Sequence, residues 1–211
     1  GEIHAIVGEN GAGKSTLIGI AAGTIPPDYA VVRMVGKEVK RPNAKKLRKV
    51  GMAVTFQHPE LAEDLTVMEN MQLAAPNLKG PEGRAEAKRL LSEVASEQHA
   101  MSLTTRVRDL TLAQHHVIEL ARALATKPQA LLLDEPTAGI NPTLINGLLD
   151  RLHRANTEFG ITLFVIEHNM RVVMNLADNI YCLAHGELLA HGTPDEIQND
   201  QRVIDAYLGA H

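Results

Sequence analysis

Aromatic residues are scarce in this chain: three Tyr, three Phe and no Trp in 211 residues. Platforms that stack successive bases are built from such rings, so that mode of nucleic-acid binding is excluded. A basic surplus is also lacking. Lys and Arg number 21 against 25 Asp and Glu, a net charge of −4, whereas a general nucleic-acid binder carries excess positive charge. One cysteine, Cys182, cannot close an internal disulfide and reads as a packing residue in a reducing compartment. No apolar run approaches the roughly 18–20 residues that cross a bilayer. The longest, such as Ala130–Leu133 and Ile161–Ile166, are strand-sized. No charged-then-apolar leader is legible at the start. Work at a membrane would have to go through a spanning partner.

What is present is ordinary for a globular protein, with 45% hydrophobic and 22% charged residues. The length suits one domain carrying a sizeable insertion. Glu2–Val7 reads as a strand, followed by a glycine-rich turn and a helix over Lys14–Ala22, with Pro26-Pro27 ending that region. Val31–Val35 and Val50–Phe56 read as strands. Helical signals then dominate from Thr66 to about Thr126, strongest over Ala85–Ala95 and Gln114–Ala125. Beyond Pro128 the strand–helix alternation returns. Ala130–Leu133 is all apolar, as in a strand buried on both faces of a parallel sheet. A helix over about Pro142–Thr157, a strand over Ile161–Ile166 and a helix near Met170–Ala177 follow. His185-Gly186 between Ile180–Leu183 and Glu187–Ala190 signals a hairpin. Two short helices close the chain, one starting near Pro194 and one over Arg202–Leu208. The fold class is α/β, a P-loop core with a mostly parallel sheet and a helical insertion.

Gly8-Glu9-Asn10-Gly11-Ala12-Gly13-Lys14-Ser15 fits G-x-x-x-x-G-K-[ST] at every fixed position, with a strand before it and a helix, opening Lys14-Ser15-Thr16, after it. Glycines let successive N–H groups turn inward toward phosphate oxygens, and the helix adds its positive end. Lys14 supplies a charge for the β- and γ-phosphates, and the Ser15 hydroxyl can hold Mg²⁺. A glycine-rich turn alone would mean little; Lys-Ser in register between a strand and a helix means nucleotide. The second site is Leu131-Leu132-Leu133-Asp134-Glu135-Pro136-Thr137, two acids at the carboxyl end of a buried strand, where open α/β sheets bind ligands. Asp134 can hold Mg²⁺ and Glu135 can polarise the attacking water. Two adjacent acids could equally be solvated turn residues, but not readily after an apolar run in a chain with a P-loop.

This order of motifs resembles the ABC ATPases along essentially the whole chain. The resemblance implies an ATPase that uses ATP and Mg²⁺, with Gln57 as the Q-loop glutamine approaching Mg²⁺ and sensing a transmembrane partner. It implies a signature loop at Leu110-Thr111-Leu112-Ala113-Gln114, a D-loop at Ala138-Gly139-Ile140-Asn141, and a switch histidine, His168, that contacts the γ-phosphate. It also implies a head-to-tail dimer in which Thr111, Ala113 and Gln114 of one subunit face the other's nucleotide. Partners would be transmembrane permease subunits and a second ATPase subunit, without nucleic acid, on the cytoplasmic face of the inner membrane. Residues 1–59 and 113–211 would form the core and about 60–112 the helical subdomain.

Two departures stand out. The family's usual signature is Leu-Ser-Gly-Gly-Gln; here Leu112 and Ala113 replace both glycines, which restricts the backbone and adds bulk. The P-loop also begins at residue 8, so the strands and adenine-stacking aromatic that the family places upstream are expected to be missing, leaving the antiparallel subdomain incomplete. The stretch Gly1–Gly13 resembles ribose-type importers. Thr55-Phe56-Gln57, Asn141-Pro142, Val165–Met170 and the run from Gly192-Thr193-Pro194 to Ala206-Tyr207-Leu208-Gly209 resemble branched-chain amino-acid importers. The expected function is therefore ATP-driven import of that second type. The alternatives are a simple-sugar importer or a non-transport regulatory ATP-binding protein.

Overall fold

The computed structural model describes residues 1–56, 59–95, 99–138 and 142–208, and the side chains of these except 142–144, 207 and 208. Its centre is a six-stranded sheet in the order β4-β5-β6-β1-β7-β8. The strands are β1 (Ile3–Gly8), β4 (Met52–Thr55), β5 (Ala130–Asp134), β6 (Thr162–Ile166), β7 (Asn179–Ala184) and β8 (Glu187–Gly192). All neighbours are parallel except β7 and β8, which pair antiparallel. The all-apolar runs have their expected cause: both faces are covered. Leu131 and Leu133 of β5 enter one apolar cluster and Leu132 the cluster on the opposite face, each contributing about 2 kcal/mol of burial.

One face is covered by α1 (Lys14–Ala22) and α2 (Ala44–Lys49), the other by α5 (Leu112–Ala125), α6 (Pro142–Phe159) and α7 (Met170–Leu176). Helices α3 (Val67–Ala74) and α4 (Gly80–Val94) pack on α5 rather than on the sheet. They share one continuous apolar cluster with β5, β6, α6 and α7. Three helices start with the same reciprocal device, a Thr whose hydroxyl accepts from the third residue's N–H while that residue's carboxyl or amide accepts in return. These are Thr66/Glu69 at α3, Thr111/Gln114 at α5 and Thr193/Glu196 at α8 (Pro194–Gln198). The chain then runs through α9 (Gln201–Val203) and a π-helical turn, Ile204–Leu208.

The largest departure from expectation is near residues 31–56. Only Arg33–Met34 pairs, as β2, with Lys37–Glu38, β3. Val35 and Gly36 both have positive φ, 50° and 73°, and form the tight turn that ends the strand early. Likewise β4 starts at Met52, because Ala44–Lys49 is helical, Val50 caps it, and Gly51 at φ 92° redirects the chain. The hairpin at His185-Gly186 is present, with φ of 50° and 83° at its two turn residues. No helix of the described residues is long and apolar enough to cross a membrane.

Candidate active site

Register brings the motifs together. Asp134 stands opposite Ile166, and Ile166 opposite Ile6, so the carboxyl ends of β5, β6 and β1 open on one edge of the sheet. From that edge β1 runs into the glycine-rich loop and α1. Gly8 is buried beneath it: a Cβ there would lie 2.8 Å from the Leu183 carbonyl oxygen of β7. Gly13, at φ 95°, is the N-cap of α1 and has no side chain with which to cap it. The N–H groups of the first turn therefore keep their donors for a ligand. Lys14 is buried, and its ammonium donates to the carbonyl oxygens of Gly8 at 2.7 Å and Glu9 at 3.0 Å. Ala12 is buried, while Glu9, Asn10, Gly11, Ser15 and Thr16 are exposed. The loop can wrap an anion of several phosphate groups.

Asp134, half-buried at the end of β5, has its carboxyl pushed up by burial and by the neighbouring Glu135 carboxylate, with Lys14 pulling it down. Glu135 has a left-handed backbone, φ 46°, uncommon for a residue with a Cβ. Its N–H donates to the Ile166 carbonyl at 2.9 Å, and Ala138 N–H donates back to the Glu135 carbonyl at 2.9 Å. The Glu135 Oε1 lies 3.6 Å from Nδ1 of His168, an exposed imidazole just past β6. Two acids, a lysine and an imidazole thus meet at one edge. The set can hold a cation, polarise a water and contact a phosphoryl group.

Residues 1–138 match the family model described as ABC transporter, and residues 187–211 match branched-chain amino acid ATP-binding cassette transporter. The chain belongs to the ABC transporter ATP-binding family. It is an ABC-type ATPase, homologous to the ATP-binding subunits of branched-chain amino-acid importers. It is 31% identical over 222 residues to the high-affinity branched-chain amino acid transport ATP-binding protein BraF of Pseudomonas aeruginosa, covering 99% of this chain and 87% of that protein. LivG of Salmonella typhimurium, of the same description, is 32% identical with the same coverage. The ribose import ATP-binding protein RbsA 1 of Rhizobium johnstonii is 34% identical over 99% of this chain but only 41% of its own length. Among solved structures, an ATP-binding cassette of an ABC transporter in its ADP conformation superposes with TM-score 0.82 at 26% identity, covering 99% of this chain and 88% of that one. A nucleotide-free cassette gives TM-score 0.83 at 28% identity, covering 98% and 87%.

In this ABC ATPase the segment expected to be the signature loop, Leu110–Gln114, lies at the start of α5, away from the glycine-rich loop in sequence and capped by its own residues. Thr111 N–H and hydroxyl donate to Gln114 Oε1 at 3.0 and 3.2 Å, and Gln114 N–H returns a bond to the hydroxyl at 3.4 Å. Gln114 Nε2 reaches the Ala100 carbonyl at 3.4 Å. Leu112 and Ala113 are ordinary first-turn residues of α5, and neither is among the residues with positive φ. The expectation that losing both glycines constrains the backbone here is therefore corrected: no left-handed conformation is called for, and what remains is the bulk of the exposed Leu112 side chain. Gln57 and Gly139–Asn141 lie outside the described residues.

Two buried acids escaped the sequence reading. Glu119, on α5, accepts from Phe56 N–H at 3.3 Å and stands 3.9 Å from Arg122, which itself donates to the Glu60 carbonyl at 2.9 Å. Burial pushes the Glu119 carboxyl up to about 7. Glu167, between β6 and His168, is fully buried. The signal for both was an acid inside an otherwise apolar stretch. Cys182 is buried in the sheet with its thiol pushed up to about 11, consistent with packing rather than chemistry.

Proposed function

We propose that this subunit binds Mg²⁺-ATP on Gly8–Thr16 and hydrolyses it to ADP and phosphate to drive import of branched-chain amino acids. The observation that carries this reading is the convergence of Lys14, Asp134, Glu135 and His168 at the carboxyl ends of β1, β5 and β6. Lys14 faces the β- and γ-phosphates, and Glu135 accepts a proton-bearing bond from the water that attacks the γ-phosphorus. His168 donates to the γ-phosphate. Asp134 fits a Mg²⁺ ligand because its crowded, partly desolvated carboxyl would be relieved by a cation, with the Ser15 hydroxyl and Gln57 completing the protein's share. Bound Mg²⁺ offsets charge developing on the phosphates.

Thr111, Ala113 and Gln114 face the nucleotide of a second subunit in a head-to-tail dimer, offering the start of α5 to its γ-phosphate. Residues 1–59 and 113–211 act as the nucleotide-binding core, and about 60–112 dock transmembrane permease subunits. The assembly places this subunit peripherally on the cytoplasmic face of the plasma membrane. The resemblance over the last 25 residues and to BraF and LivG supports the amino-acid cargo, while the likeness to a ribose import protein keeps sugar as the competing cargo. Vesicles carrying the chain together with its permease subunits should accumulate leucine when supplied with ATP. Uptake of ribose instead would overturn the cargo. Glu135→Gln should abolish uptake while ATP still binds, and undiminished uptake in that variant would overturn the mechanism.

A further inference from the structure

The backbone at Glu135 is strained, and something must hold it. A left-handed residue with a Cβ costs on the order of RT or more and persists only where surrounding bonds fix it. One such bond is to the Ile166 carbonyl. Another set comes two residues later. Thr137 is buried, and both its N–H and its hydroxyl donate to one oxygen, Oε1 of Glu167, at 3.0 and 2.6 Å. Glu167 is fully buried, its own N–H bonded to the Ile6 carbonyl of β1 at 3.1 Å. Its second oxygen, Oε2, is buried with no hydrogen-bond partner among the described residues. A buried acceptor left unsatisfied is costly and calls for a reason.

The reason lies in what this carboxylate spans. On one side it grips the turn that carries Glu135. On the other it is the residue directly before His168, and its main chain is fastened to the strand that feeds the phosphate loop. We propose that Glu167 is the positioning residue of the ATPase site, locking the turn of Glu135 to the root of His168 through Thr137. Because one oxygen takes both the main-chain and side-chain donors of Thr137, that residue can neither swing nor rotate. The geometry between Glu135 and His168 is then set by a short, buried link rather than by their own contact at 3.6 Å. This inference rests on the assignment of Glu135 and His168 to the chemistry.

The test is steady-state ATP hydrolysis by the full chain with kcat and KM separated, beside nucleotide affinity and thermal melting. Misplacing a reacting group by about 1 Å can cost on the order of 10²-fold in rate. Glu167→Ala should lower kcat by about 10- to 100-fold with KM and ATP affinity within about threefold. Glu167→Gln keeps an acceptor oxygen and should restore most of kcat, which a role in charge would not allow. Thr137→Val, which keeps the N–H and loses only the hydroxyl, should give a smaller fall in kcat and covers the case in which Glu167→Ala does not fold. With Thr137→Val in place, Glu167→Ala should cost less than it does alone, because both act on one link. A folded Glu167→Ala protein with unchanged kcat overturns the proposal, as does an unchanged Thr137→Val, or a Gln variant as slow as Ala. Glu135→Gln run in parallel separates the two levels: if it is inactive while Glu167→Ala is active, only the positioning role falls. If Glu135→Gln hydrolyses normally, the site assignment falls with it.

Discussion

Helices α1 and α5 both begin at loops assigned to nucleotide, yet they begin in opposite ways. At α1 the cap is Gly13, no side chain satisfies the first-turn donors, and the first helical residue is a lysine. A cation at the positive end of a helix is unfavourable, and its ammonium turns back to the carbonyls of Gly8 and Glu9. At α5 the cap is Thr111, bound reciprocally to Gln114, and the helix would start in the same way with nothing to bind. The contrast teaches where local stability has been given up. The start of α1 leaves its donors open to an anion, whereas the start of α5 is stable by itself and has only its first N–H groups, at Leu112 and Ala113, to offer outward.

That difference can be broken at either end. Lys14→Ala should lower ATP affinity about 10²-fold or more by calorimetry, since the charge it removes has no substitute in the loop. Near-parental affinity would mean that the uncapped helix start alone holds the phosphates. A second effect lies in the middle of α5. Burial raises the Glu119 carboxyl to about 7 in the folded chain, against 4.5 as its ordinary value. Between these values the folded state keeps a proton that the unfolded state has released. Stability from this group is therefore lost as pH rises from about 5 to about 8, by on the order of 2–3 kcal/mol. Glu119→Gln should flatten that part of the pH dependence in chemical-denaturation curves, and an identical slope in the variant would refute the assignment. The smallest effect is expected at the start of α5. Leu112→Gly with Ala113→Gly should raise kcat by up to about tenfold through removal of the leucine side chain, while lowering stability by about 1–2 kcal/mol through helix propensity. Measured kcat equal to or below the parent would show that bulk at Leu112 does not slow the enzyme.

Much of this was readable in the residues themselves. The helix read over Lys14–Ala22, after a glycine turn and ahead of Pro26-Pro27, has those limits, with Gly23 as its cap, and Ala130–Leu133 announces a strand with two covered faces because no polar residue interrupts it. The hairpin at His185-Gly186 is likewise local. What could not be read was set by distance along the chain. Glu119 meets Phe56 across 63 positions, and Glu167 meets Thr137 across 30, pairings that no period or spacing encodes. The strand expected over Val31–Val35 fails for a different reason: β-branched residues favour extended backbone, but a two-residue turn at Val35-Gly36 overrides that preference. The first turn of α5 was misjudged because comparison with a glycine-bearing loop suggested a strained backbone where Thr111 and Gln114 make an ordinary helix start.

The apolar cluster that runs unbroken from Val67 of α3 through Leu90 of α4 and Ile118 of α5 to Leu133 and Leu152 has a mechanical meaning. A wing joined to its body by a polar seam can swing about a hinge, since little is exposed when the seam opens. Here a swing would pull close-packed side chains apart and wet them, so displacement of α3 and α4 relative to α5 and the sheet is opposed by the packing. The same continuity makes these helices melt with the sheet rather than before it. A displacement of the outer helices would thereby reach β5, and the acids at and just past its end, with little lost in slack.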